Sequence, residues 1–433
     1  MGVAVAILTD AELLLGLSRH LSAYASGHDR AALSELEFVG WVYDLAFRLR
    51  GSTTSPAERV RAIGVDVGLS TRNLRDVMAV LESIGWVTVQ RDQAGAPVFI
   101  NETLPPAAEL VAAASRVLDI AHVGAVERAA LAVLRATTVQ PLLRTDALEF
   151  GSTAGGGDSE AAESAVRHLI ALGLVRVASV DTDRDVLYNP NVWTQGEDVA
   201  AAALKAADAG ATKEVQALLE ELAENPGLPE VNVTSTDARW IRFAIAQGLV
   251  QRSLIQTTEG GEQGFLFTPH LARDPFGGTA GDASGHVRQL VGSMIYATTF
   301  ARTRLYAPDA FLRSLLRNGV AGNVPAIGTD YPMLEKAGIV RVVPGTGSGF
   351  RMELLQADVA EDALRLLTTG TGPGGSDSGN AAALRAQRSY IHIERDRARL
   401  ALHANSDDAE EARLIASLRD VSKRRGLTGG APW

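Results

Sequence analysis

Residues 56–100 read PAERVRAIGVDVGLSTRNLRDVMAVLESIGWVTVQRDQAGAPVFI. Glu58 to Val67 carries helix-forming residues and stops at Gly68-Leu69-Ser70, where a glycine supplies the turn. Ser70 is placed to cap a second helix from Thr71 to Ile84, its hydroxyl satisfying an exposed backbone N–H. Leu74, Val77, Met78 and Leu81 recur at helical spacing and define a core-facing stripe. Gly85 ends the helix, Trp86-Val87-Thr88-Val89 reads as a strand, QAGAP as a turn, and Val98-Phe99-Ile100 as a returning strand.

The closing phrase of this stretch recurs. VLESIGWVTVQRDQAGAPVFI from Val80 has counterparts in HLIALGLVRVASVDTDRDVLY from His168, FAIAQGLVQRSLIQTTEGGEQGFLF from Phe243 and MLEKAGIVRVVPGTGSGFRMELL from Met333. In each, a helix reaches a glycine (Gly85, Gly173, Gly248, Gly338) and is followed by strand, turn and strand. A helix that ends in a left-handed residue favours glycine, because a Cβ is costly there. An ordinary helix-to-strand junction would explain one copy; four copies argue for a repeated unit.

The stretch from Pro56 to Ile100 resembles the winged helix-turn-helix superfamily of bacterial DNA-binding regulators. The resemblance, extended by the repeat, implies tandem winged helix-turn-helix units in a mainly α fold with small β-wings (α+β); the residues at the end of the chain add a helical C-terminal tail. It implies that Thr71, Arg72, Asn73 and Arg75 face a DNA major groove from the start of the recognition helix, with Arg91 opening the wing. Arg can read guanine, and Asn adenine, in bidentate fashion. Asp76 lies in the same turns.

The other copies carry different chemistry. The second begins its helix with Asp158, Glu160 and Glu163, which repel phosphate, so a structural role is expected. The third offers Arg239 and Arg242 as exposed DNA contacts, while Ile241, Ala244 and Ile245 pack inward; Trp240, like Trp86, is expected as a core anchor. The fourth is short and interrupted by Pro332, but the preceding His286 to Asn318 stretch carries Arg288, Arg302, Arg304, Arg313 and Arg317 against Asp309, and could supply phosphate contacts.

Prolines and glycines suggest the seams. The expected domains are 1–104 (N-terminal helices plus the first unit), 105–195, 196–274 and 283–368, followed by a Gly/Ser linker at 369–380 and a basic helical tail at 381–433. Within the tail, Ala381 to His403 reads as one helix, and a second from Asp407 ends in Lys423-Arg424-Arg425.

Whole-chain properties narrow the function. The 433 residues are 46% hydrophobic and 21% charged, within the globular range. A net charge of −10 argues against a general polyanion binder, so any DNA contact must be local. Cysteine is absent, which removes disulfides, thiolate metal sites and cysteine nucleophiles. The opening MGVAVAILTDAELLLG lacks a basic export signature and reads as the start of a core helix, giving a cytoplasmic expectation. No nucleophile elbow, Walker motif, dinucleotide fingerprint or HExxH occurs, so no catalytic residue, metal ligand or cofactor is assigned and a non-enzyme is expected. The expected partner is double-stranded DNA, most simply for transcriptional regulation. The alternative is an adaptor subunit whose acidic units and tail dock proteins of a DNA-associated complex, such as a chromosome-condensing or defence assembly. No membrane partner is expected, and self-association is compatible with either.

Overall fold

The computed structural model of the chain describes residues 9–139, 142–181, 184–189, 209–246, 249–257, 262–267, 285–301, 303–369, 387–391, 395–396 and 398–399. It is mixed α+β, with helices predominating and four small antiparallel sheets.

One order of elements occurs four times: helix, short strand, helical segment, helix, strand, strand. In the first unit these are Ser34–Leu49, Thr54–Pro56, Ala57–Val67, Thr71–Ser83, Val87–Arg91 and Pro97–Glu102. In the second they are Ala125–Val139, Leu142–Leu143, Arg144–Ala154, Ser159–Ala171, Arg176–Asp181 and Arg184–Tyr188. The third runs Ala209–Glu224, Leu228–Pro229, a 3-10 turn at Glu230–Asn232, Ala238–Ala246, Gln251–Thr257 and Glu262–Phe267. The fourth runs Pro308–Asn318, Val320–Val324, Ile327–Asp330, Pro332–Lys336, Val340–Pro344 and Phe350–Leu354. In every unit the last strand is central, pairing antiparallel with both the short first strand and the strand before it.

Local sequence explains the boundaries. Helix Asp10–Leu21 starts in a capping box, with the Thr9 hydroxyl accepting from the Glu12 N–H and the Thr9 N–H donating to the Glu12 carboxylate at 2.7 Å. Helices Thr71–Ser83 and Ser159–Ala171 are capped by the Ser70 hydroxyl and the Asp158 carboxylate. Gly85, Gly173 and Gly338 all have positive φ. Gly248 lies outside the described residues.

The apolar residues gather into three cores. The largest runs from Ala11 to Leu187 and joins the N-terminal helices to the first two units. A smaller one joins Val186 and Tyr188 to the third unit, and another, from Ile255 to Ala363, fills the fourth unit with its flanking helices His286–Thr299 and Ala357–Thr369. No helix among the described residues is long and apolar enough to cross a membrane.

The first and fourth units are clasped together. The buried Arg48 donates to Asp44 at 3.0 Å and to Asp66 at 2.8 Å; Lys336 of the fourth unit reaches Asp66 at 3.2 Å. Arg19 lies 3.5 Å from the same Asp44 carboxylate. Gln356 donates to the carbonyls of both Phe47 and Gly338 at 3.0 Å, and its own carbonyl oxygen lies 3.1 Å from Arg50 and 3.3 Å from His286 Nδ1. Burial pushes His286 down to about 3, with Arg48 and Arg19 adding to the fall while the Gln356 bond and Asp44 oppose it.

Two expectations change. Arg288, expected on a phosphate-facing stretch, is buried, because its helix is sandwiched in the core between the fourth unit and the strands of the third. Gln387–Ile391, expected inside a tail helix, is a strand paired with Gln251–Thr257, where an open sheet edge offers unpaired backbone groups. Arg252 anchors the chain beyond that added strand, bonding Glu230 at 2.6 Å and the buried Asp396 at 3.1 Å. Residues 370–380 of the expected linker and 400–433 of the expected tail lie outside the described residues.

Three outcomes are expected. Gly338 has φ +71°, and a Cβ there would overlap the Arg48 carbonyl oxygen, whereas Gly85 at φ +82° has open space around it. Gly338→Ala should therefore cost about 2–4 kcal/mol in denaturant unfolding and Gly85→Ala about 1 kcal/mol; equal costs would remove the close docking. Second, a protease site placed within residues 370–380 and cut in the folded protein should leave the C-terminal piece bound on native gel filtration. Its free departure would show that the strand pairing does not hold it. Third, the folded-state His286 value lies below the unfolded one near 6.5. The folded state thus refuses a proton that the unfolded chain takes, so this stability is present above about pH 6.5 and is lost as pH falls toward 3. The stability gap between the parent and His286→Asn should narrow from pH 7 to pH 4; a constant gap would absolve His286.

Candidate nucleic-acid interface

Helix Thr71–Ser83 is held by its inner face. Val77 and Leu81 are fully buried, Leu74 and Met78 pack against the same core, and Gly64 of the preceding helix lets the Leu74 side chain approach to 3.0 Å of where a Cβ would stand. The Ser70 hydroxyl accepts from the Asn73 N–H at 3.1 Å, fixing the first turn. The outward residues are therefore carried on a rigid support.

Thr71, Arg72 and Arg75 are exposed and Asn73 is half-buried. The Arg72 and Arg75 side chains are 83% and 76% accessible, so a flat or grooved partner can reach both. Their contacts within the chain are weak: Arg72 stands 3.9 Å from Asp76, and Arg75 bonds Asp76 at 3.2 Å. Exposed pairs of this kind contribute about 0–1 kcal/mol and are readily exchanged for phosphate or base contacts.

Arg91 is differently placed. It ends strand Val87–Arg91 and folds back on the helix, bonding both oxygens of Glu82 at 2.8 and 3.1 Å. The Arg91 hydrogen bond is the first cause of a Glu82 carboxyl held below its ordinary range, and a Val89 backbone bond adds to it. Asp76 and Glu82 thus neutralise much of the basic charge on this face. Sequence reading missed Glu82 because its partner, nine residues on, meets it only when the strand packs back against the helix.

In the third unit, Arg239 and Arg242 are both exposed, while Ile241, Ala244 and Ile245 are buried as the spacing predicts. The Arg239 guanidinium sits 5.0 Å from the centre of the Trp240 ring, a cation–π arrangement. Trp240 is half-buried and Trp86 is buried, the latter edge-on to Tyr43.

The equivalent surfaces of the other units are closed to an anion. In the second, Asp158 caps the helix, Glu160 is exposed, and Glu163 bonds Arg144 at 3.2 Å. In the fourth, helix Pro332–Lys336 has only five residues: Met333 and Leu334 are buried, and Lys336 is committed to Asp66. No group of three or more metal-ligating side chains stands together among the described residues. Compared with known proteins, the chain matches no family model, and no curated protein matches it.

Proposed function

We propose that the four repeats are tandem winged helix-turn-helix units and that the protein binds double-stranded DNA with sequence preference, as a non-catalytic cytoplasmic regulator of transcription. The observation that carries this reading is the pair Arg72 and Arg75. Two highly accessible guanidiniums project from the first turns of a capped helix whose opposite face is locked into the core. Side chains at the start of such a helix reach base edges in the major groove. Arg239 and Arg242 extend the footprint from the third unit. The strand order repeated in each unit, with the last strand central, supports the winged-helix assignment.

A second reading, a winged-helix adaptor in a DNA-associated complex, is favoured by the acidic first turn of helix Ser159–Ala171 and by the enclosure of Pro332–Lys336 at the clasp. Both units would then serve assembly.

Arg72→Ala or Arg75→Ala should each weaken specific binding by about 1–3 kcal/mol and relax preference at one base pair if the arginine reads a base. A phosphate contact would instead weaken all sequences alike and flatten the salt dependence. Stability should move by less than ~0.5 kcal/mol. Glu160→Gln with Glu163→Gln serves as the control and should leave affinity unchanged. Mobility shift at two salt concentrations measures all of these. A double Arg72→Ala, Arg75→Ala variant that binds as tightly as the parent would transfer the argument to the adaptor.

A further inference from the structure

Among the described residues, one aromatic side chain is exposed far beyond the others. Tyr43, Tyr188, Tyr296 and Tyr331 are buried, whereas Tyr306 is 92% exposed. It lies between helix His286–Thr299 and helix Pro308–Asn318, two residues after the exposed Arg304. The outer face of the second of these helices carries Arg313 and Arg317, exposed and one helical turn apart, while Leu312 and Leu315 face the core. Arg313 makes an i,i+4 pair with Asp309 at 3.3 Å; Arg317 has no acidic partner within ion-pair distance among the described residues. This region is locally basic in a chain of net charge −10.

An aromatic ring held in water forgoes the burial that would stabilise it. The segment that carries this ring leads directly into the helix that carries Arg313 and Arg317, and an exposed ring combined with guanidiniums has the composition of a platform for unpaired bases: the aromatic face stacks on a base and the arginines hold the backbone phosphates. A base inside a continuous duplex is already stacked and offers Tyr306 no face. The chemistry therefore selects nucleic acid that is single-stranded where it meets the fourth unit.

We infer that Tyr306, Arg313 and Arg317 form a single-strand platform, so that the preferred ligand is a DNA duplex bearing a single-stranded overhang. Resting on the DNA-binding reading above, this assigns the duplex to the first unit and the unpaired strand to the fourth.

The test compares the full-length protein on a blunt duplex and on the same duplex with a single-stranded overhang, by fluorescence anisotropy at two salt concentrations. The overhang should tighten binding about tenfold, the worth of one stacked base. Tyr306→Ala should abolish that gain, and Tyr306→Phe should keep it, because stacking needs the ring and not the hydroxyl. Arg313→Ala with Arg317→Ala should reduce the gain and its salt dependence together. Arg72→Ala with Arg75→Ala should weaken both ligands and leave their ratio intact. If the parent binds both ligands equally, or Tyr306→Ala preserves the ratio, the platform is wrong while duplex binding stands. If the parent binds neither, the DNA reading itself fails, and the platform with it. A change of oligomeric mass in Tyr306→Ala with an unaltered ratio would identify a protein contact instead and overturn the platform.

Discussion

The buried Arg48 guanidinium, shared between Asp44 and Asp66, is the constraint on which the arrangement of units depends. Burial alone would drive this group toward neutrality, and the two carboxylates outweigh it and raise its affinity for the proton. A charge taken out of water is tolerated only when its partners are in place, so this cluster specifies geometry more than it adds stability. Asp66 belongs to the first unit's helix Ala57–Val67 and also receives Lys336 from the fourth. Residues 270 positions apart thereby share one electrostatic knot, and Gln356 fixes the backbone on both sides of it.

Differences in the exposed surfaces of the repeats follow from that arrangement. The first unit contributes to the clasp through helix Ser34–Leu49 and helix Ala57–Val67, which leaves the outer face of Thr71–Ser83 open to solvent. The fourth unit contributes its corresponding helix, Pro332–Lys336, and so commits to packing the surface that the first presents outward. The second unit is joined to the first by Glu127, which accepts from the Glu35 N–H at 2.8 Å, and to the segment before it by His168, 2.7 Å from Asp29. Repetition of a topology therefore does not repeat an exposed surface; what each unit can touch depends on which face its neighbours take.

Much of this was legible locally. Cap, turn and apolar spacing in residues 56–100 mark both helices to within a residue, because hydrogen bonding at helix ends and burial of one face are short-range constraints. The exposure of Arg72, Arg75, Arg239 and Arg242 follows from the same periodicity. What eluded local reading involved distant partners. Arg288 sits in an arginine-rich stretch yet is buried, Arg91 is committed to Glu82, and Gln387–Ile391 is a strand because an unpaired edge was there to receive it.

Gly85 and Gly338 show where the division lies. Both end a helix with positive φ before an apolar strand, and the sequence by itself determined that much, since only glycine takes the left-handed conformation without a steric penalty. Tertiary structure alone decided that Gly85 faces open space while Gly338 lies against the Arg48 carbonyl. The positions differ in which surface comes to rest on them, and that surface is supplied by residues some 290 positions away, beyond the range of any local pattern.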